Sequence, residues 1–257
     1  MLSIYNEFGR FVPAAAIMNL SETLGYIHSF QSLGAVDGPG LRCVVFMQGC
    51  PLRCAYCHNP DTWAFAPDAK DAVCVSAKET AKKILRFKPY IKNGGVTVSG
   101  GEALMQPEFV YSLFCLLKEE GIHTALDTSG AGDLKKAAKV LEVTDLVIAD
   151  LKFSNPEDYK KYCGLDMEHI LKFLELTQET EVPLWIRHVV VPGLNDSPES
   201  IRMIGRIASS YKNLEKIELL PFRKICESKY EEMGMEFPLK DYEACTEEKI
   251  KELEKFL

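Results

Sequence analysis

Apolar runs and stretches of helical spacing alternate along almost the whole chain. Leu41–Met47 predicts a strand, bounded before by D-G-P-G and after by Gln48-Gly49. Ser76–Tyr90 then carries Ala81, Ile84, Leu85 and Lys88 at helical spacing. A short strand, Gly95–Val98, leads through S-G-G-E into a helix over Pro107–Glu120. Ile122–Leu126 predicts a strand ending in D-T-S-G, with a helix over Asp133–Leu141 after it. Asp145–Ala149 predicts another, ending in Asp150-Leu151-Lys152, with a helix over Glu168–Thr180. Pro183–Val191 is the longest strand of the pattern, and Ser197 caps a helix that runs to Tyr211 with Glu199 in its first turn. Glu215–Leu220 is a sixth strand, halted by Pro221. Thr246 caps a last helix whose Ile250, Leu253 and Leu257 share one face.

Six strand-then-helix units imply right-handed crossovers and a parallel sheet. The regularity, without a linker or composition break, argues for one α/β domain over residues 21–257, with residues 1–20 as an extension. A flat doubly wound sheet and a curved, incomplete barrel both fit. Periodicity does not choose between them.

Composition narrows the function classes. Of 257 residues, 47% are hydrophobic and 26% charged, which excludes a disordered or fibrous chain. Lys+Arg of 30 against Asp+Glu of 37 gives net −7, an argument against nucleic-acid partners. The longest apolar run, Phe11–Ser21, is far short of the ~20 residues of a membrane helix. Glu7 and Arg10 interrupt the opening residues, so no signal peptide is expected. A cytoplasmic protein without membrane contact is the expectation.

Nine cysteines in such a chain do not read as a disulfide framework. Cys43, Cys74, Cys115, Cys163, Cys226 and Cys245 are scattered and read as ordinary free thiols, whereas Cys50, Cys54 and Cys57 crowd together as C-P-L-R-C-A-Y-C. A structural zinc site normally takes four ligands in two pairs, and no second pair is present. His58 adjoins Cys57 too closely to ligate beside it with ease. Three thiolates suit a [4Fe–4S] cluster with one iron left open, better than they suit zinc.

The unusual polar clusters fall just after the predicted strands: Cys50–Cys57, Ser99–Glu102, Asp127-Thr128, Asp150–Lys152 and Arg223, with Arg187 inside the fifth strand. In parallel α/β folds that edge of the sheet binds ligands, so these clusters predict one shared site.

Cys-x3-Cys-x2-Cys with an aromatic before the last cysteine resembles the radical S-adenosylmethionine superfamily, as does the G-G-E of Gly100–Glu102. More narrowly, V-D-G-P-G, F-M-Q-G-C, Y-C-H-N-P-D-T-W, S-G-G-E-A-L, L-D-T-S-G, D-L-K, W-I-R-H-V-V-V-P-G and I-E-L-L-P-F resemble the pyruvate formate-lyase activating enzyme family. The resemblance runs in unbroken order from about residue 25 to about residue 250. It implies an incomplete (β/α)6 TIM-like barrel. It also implies a reaction in which a [4Fe–4S] cluster gives one electron to S-adenosylmethionine, releasing methionine and a 5′-deoxyadenosyl radical. That radical takes a hydrogen atom from a backbone glycine of a glycyl-radical enzyme of the pyruvate formate-lyase type. A low-potential donor such as flavodoxin or ferredoxin follows, and the basic run Lys78, Lys82, Lys83, Arg86 and Lys88 is a candidate face for it.

The resemblance assigns roles by position. Cys50, Cys54 and Cys57 ligate iron; Tyr56 and His58 line the adenine side of the cofactor. Gly100 and Gly101 permit close approach, and Glu102 pairs with the cofactor's ammonium. Asp150, Leu151, Lys152 and Arg187 contact the cofactor, and Asp127 with Thr128 resembles part of a monovalent-cation site. Where the family presents a histidine after L-L-P-F, this chain has Arg223. Arginine is a permanent cation that cannot accept a hydrogen bond as neutral imidazole does. The remaining histidines, His28, His123, His169 and His188, read as structural. A radical enzyme acting on a small molecule, an iron–sulfur electron carrier and a zinc-stabilised binding module are the competing functions.

Overall fold

A computed structural model describes residues 4–5, 11–12, 20–65, 69 and 72–257. Ile4–Tyr5 (β1) and Phe11–Val12 (β2) pair with each other as a separate antiparallel ladder. Most of the expected extension over residues 1–20 lies outside the described residues.

The main sheet has eight strands. Six run parallel: Arg42–Met47 (β4), Gly95–Gly100 (β6), Thr124–Thr128 (β7), Leu146–Asp150 (β8), Leu184–Val190 (β9) and Leu214–Pro221 (β10). Each pairs with the next in chain order, so the sheet winds in one direction only. A doubly wound sheet would reverse its strand order part-way. The one-way order is that of an incomplete (β/α)6 barrel, and it decides what periodicity left open.

Leu24–Gly34 (β3) and Val73–Ser76 (β5) extend one edge, antiparallel to β4 and to each other. At 11 residues β3 is the longest strand, and the apolar pattern missed it. Its alternation is diluted by His28, Ser29, Gln31 and Ser32, because an antiparallel strand can leave one face to solvent.

The connecting helices are Ala77–Leu85 (α1), Pro107–Glu119 (α2), Leu134–Leu141 (α3), Pro156–Cys163 (α4), Met167–Glu179 (α5) and Pro198–Ala208 (α6), followed by Glu227–Glu232 (α7) and Glu247–Leu253 (α8). Expected caps form: Ser197 accepts from Ser200 N–H and Thr246 from Lys249 N–H. Helix α1 opens with a reciprocal capping box between Ser76 and Glu79 and ends at Leu85, short of the expected Tyr90. Helix α4 was not expected. It is polar apart from the buried pair Tyr159 and Cys163, with Asn155 as its cap and Gly164 at φ 74° closing it.

Strand alternation sorts the sheet into two faces. Leu126, Val147, Ala149 and Ile186 join the large core under the helices, whereas Ala125, Leu146, Ile148 and Trp185 pack together inside the barrel. Asp127, Asp150 and Arg187 share the parity of the inner set. Ile186 faces outward and Arg187 inward.

Candidate active site

All the predicted site residues except the Arg223 side chain gather at or just inside the C-terminal edge of the parallel strands. The cysteine loop leaves β4 at Gln48 and is braced on every side. Gly49 N–H donates to Thr62 O at 2.9 Å, and Cys57 N–H turns back to Cys54 O at 3.0 Å. Tyr56 is buried, and its hydroxyl donates to Lys152 O at 3.3 Å. His58 Nε2 lies 2.9 Å from Arg223 O, and Tyr230 donates to Cys57 O at 3.3 Å. The loop is thereby tied to the ends of β8 and β10.

Cys50 and Cys54 are buried, Cys57 is half-buried, and none is in a disulfide. Burial pushes the Cys50 thiol up to about 12 and the Cys57 thiol to about 11. The Cys54 thiol is lowered, chiefly by a hydrogen bond from Cys163 and also by the Lys152 ammonium. Among the described residues no three His, Cys, Asp or Glu side chains converge as a single bound metal ion requires. A cubane asks for something different, one thiolate on each of three separate irons, and three unpaired thiols on one short braced loop fit that donor set.

The glycines of the G-G-E segment serve the loop before they serve any ligand. A Cβ on Gly100, at φ +113°, would lie 2.1 Å from Met47 N, and one on Gly101 would lie 2.6 Å from Gly49 O. What crowds them is the backbone entering the cysteine loop.

Glu102 is 1% exposed, and its carboxylate is fully engaged. Oε1 accepts from Leu104 N–H at 2.9 Å and from the Thr128 hydroxyl at 2.5 Å, while Oε2 accepts from Ser129 N–H at 2.9 Å and from the Ser129 hydroxyl. A carboxylate has about four acceptor positions, and four donors fill them. The carboxylate expected to meet an ammonium instead ties the loop after β6 to the loop after β7.

Inside the barrel, Asp127 accepts from the Ser99 hydroxyl at 2.6 Å. Burial and then the nearby Asp150 carboxylate push Asp127 up to about 6, with the Arg187 cation opposing them. Asp150 pairs with Lys152 Nζ at 2.7 Å, and that ammonium also sits 5.9 Å from the Tyr56 ring. Burial opposes the Lys152 charge, but Asp150 and the neighbouring thiols and tyrosine win, and its pKa stands above the ordinary lysine value. Arg187, opposite Asp150 on one side and Glu218 on the other, pairs with Glu218 at 2.8 Å and donates to Val36 O. Glu218 carried no role in the sequence reading; the signal for it is its register with Arg187. Leu151 is fixed by its own N–H to Arg187 O at 2.9 Å, and its carbonyl lies 2.8 Å from Nδ1 of the buried His188. His188 is structural, as expected.

Arg223 does not turn inward. Its guanidinium pairs with Glu247 at 2.6 Å and the side chain is 55% exposed, so only its carbonyl reaches the site, through His58. The basic run lies along α1 and the turn after it. Lys83 lies over the Phe30 ring, and Lys88 pairs with Glu120 where α2 ends, at the N-terminal edge opposite the cysteine loop.

Residues 44–204 match the family model described as the radical SAM superfamily. The pyruvate formate-lyase-activating enzyme of Clostridium pasteurianum is 48% identical over 91% of this chain and 97% of its own length. That of Streptococcus mutans is 41% identical over 93% of each. Among solved structures, a domain of pyruvate-formate lyase-activating enzyme from Bacteroides vulgatus aligns at TM-score 0.53 and 26% identity, over 64% of this chain and 92% of that one. A radical SAM methyltransferase from Sphaerobacter thermophilus, 14% identical over 96% of this chain and 79% of its own, shares the fold at TM-score 0.60. The barrel and its cysteine loop are thus those of a radical S-adenosylmethionine enzyme. Within that superfamily, the chain belongs to the pyruvate formate-lyase-activating enzyme family.

Proposed function

We propose that this protein activates pyruvate formate-lyase, or a close glycyl-radical enzyme, by reductive cleavage of S-adenosylmethionine and removal of a hydrogen atom from a backbone glycine of that partner. The observation that carries the reading is the convergence of three unpaired thiols, the Asp150–Lys152 pair, Asp127 and Arg187 on one barrel mouth. When bound to Cys50, Cys54 and Cys57, a [4Fe–4S] cluster supplies the electron that splits the sulfonium bond.

The chain's own groups bind and orient. Lys152 is the buried cation suited to the cofactor's carboxylate or ribose. Because the Glu102 carboxylate is committed to Thr128, Ser129 and Leu104, the cofactor's ammonium falls to backbone carbonyls of Gly100–Glu102. Tyr56 and His58 form the adenine side while bracing the loop. A monovalent cation beside Asp127 and Thr128 would relieve the repulsion between Asp127 and Asp150. Arg187 holds the V-D-G-P-G segment by its hydrogen bond to Val36 and keeps the acidic barrel interior compensated.

The catalytic unit is residues 21–257, and we read the protein as cytoplasmic; no helix of the described residues is long and apolar enough to cross a membrane. A carrier of the flavodoxin or ferredoxin type delivers the electron at the cysteine edge. Exposed Lys160 and Lys161 on α4 stand there, beside the exposed Arg53 of the cysteine loop. Incubation of the reduced protein with S-adenosylmethionine and inactive pyruvate formate-lyase tests the proposal. Pyruvate cleavage should switch on, and persistent silence alongside cofactor cleavage would mean a different substrate.

A further inference from the structure

The segment Asp150–Lys152 runs off the end of β8, yet each of its polar main-chain groups from Asp150 O to Lys152 O has a partner. The Tyr159 hydroxyl donates to Asp150 O at 3.3 Å and accepts from Lys152 N–H at 3.5 Å. Leu151 N–H donates to Arg187 O at 2.9 Å, and the Leu151 carbonyl lies 2.8 Å from His188 Nδ1. Lys152 O accepts from the Tyr56 hydroxyl at 3.3 Å. Main-chain groups cut off from water need partners, and a segment whose partners are all fixed is held in one conformation.

Tyr159 and His188 reach this segment from outside the barrel. His188 has the parity of Ile186 and Val190, which join the core under the helices, and Tyr159 belongs to that same core. Both side chains are fully buried. The Asp150 and Lys152 side chains instead pair with each other at 2.7 Å. A carbonyl only accepts, so Nδ1 carries the His188 proton. Nε2 is buried with no partner, and burial pushes the His188 pKa down to about 4, so at neutral pH the ring is an uncharged donor. Lys152 carries its ammonium on a flexible four-carbon stem, and a contact at its tip is only as well placed as the main chain that bears it.

We propose that Tyr159 and His188 are positioning residues that hold the Asp150–Lys152 main chain so that Lys152 meets S-adenosylmethionine; this rests on the reading of Lys152 as a cofactor contact. The test is calorimetric titration of the iron–sulfur-loaded protein with S-adenosylmethionine, in wild-type and Lys152→Ala backgrounds. Lys152→Ala alone should weaken binding roughly tenfold or more. In the wild-type background, Tyr159→Phe loses one oxygen and keeps the ring, while His188→Leu loses the donor. Each should weaken binding roughly three- to tenfold. His188→Asn branches as leucine does but puts an amide N–H where Nδ1 stands, and should stay within about twofold of wild type. In the Lys152→Ala background none of the three should cost more than about twofold further, because a residue that acts through Lys152 has nothing left to position. Tyr159→Phe stays readable should the His188 variants fail to fold. Wild-type affinity in Tyr159→Phe and His188→Leu overturns the inference. So do equal losses in both backgrounds, or a loss in His188→Asn as large as in His188→Leu. Wild-type affinity in Lys152→Ala overturns the reading of Lys152 and the inference with it.

Discussion

The Thr128 hydroxyl donates to the Glu102 carboxylate at 2.5 Å, joining the loop after β6 to the end of β7. Glu102 is therefore an anchor between two loops at the strand ends. Glu102→Gln replaces an acceptor with an NH2 that faces donors already in place. The expected cost is about 2 kcal/mol, which lowers the melting temperature by roughly 4–8 °C for a chain of this size. Calorimetry under anaerobic conditions checks it. An unchanged melting temperature with weakened cofactor binding would return Glu102 to direct contact with the ammonium.

Asp127 gives a pH dependence with a definite sign. Its folded-state pKa of about 6 lies above the ordinary 3.8, because of burial and then Asp150. Its contribution to stability is therefore fully present below pH 3.8 and lost as pH rises through 6. Asp127→Asn removes that loss, on the order of 2–3 kcal/mol at most for a partly buried group. In a buffer whose only monovalent cation is tetramethylammonium, the variant should be more stable than wild type at pH 7.5 and flatter between pH 4 and 6. Denaturant unfolding at several pH values measures this, and parallel curves for the two proteins would contradict it.

Arg223→Ala should leave cofactor affinity within about twofold of wild type, since its guanidinium is held in an exposed ion pair with Glu247 that contributes about 1 kcal/mol at most. The His58 contact survives, because it uses the backbone carbonyl. Calorimetric titration with S-adenosylmethionine decides it; a tenfold loss would bring the guanidinium back into the site.

Lys160→Glu combined with Lys161→Glu should slow reduction by flavodoxin several-fold at low salt, with the difference shrinking as salt rises, while reduction by dithionite is unchanged. The same exchange at Lys82 and Lys83 should change neither rate. Stopped-flow absorbance follows both reductants, and slowing by the α1 pair alone would reverse the assignment of the docking edge.

Strands β4, β6, β7, β8 and β9 were legible as apolar runs largely buried on both faces, and β10 by Ile217, Leu219, Leu220 and the proline that halts it. The strand ends carried the site, since residues just past parallel strands meet at one edge. What escaped the pattern was one-sided or directional. Strand β3 alternates weakly, and α4 buries only Tyr159 and Cys163 fully. The commitments of Glu102 and Arg223 depend on partners 26 and 24 residues away, Thr128 and Glu247, and spacing alone does not reveal a hydrogen bond already made.

The most direct measurement is electron paramagnetic resonance of the reduced protein mixed with S-adenosylmethionine and pyruvate formate-lyase, with the lyase labelled in its glycine α-carbons with carbon-13. A glycyl radical split by that label should grow in, matched by methionine release, and both should be absent when Cys50, Cys54 or Cys57 is alanine. Methionine release with no glycyl signal, or a signal that survives loss of any one of the three cysteines, would contradict the assignment.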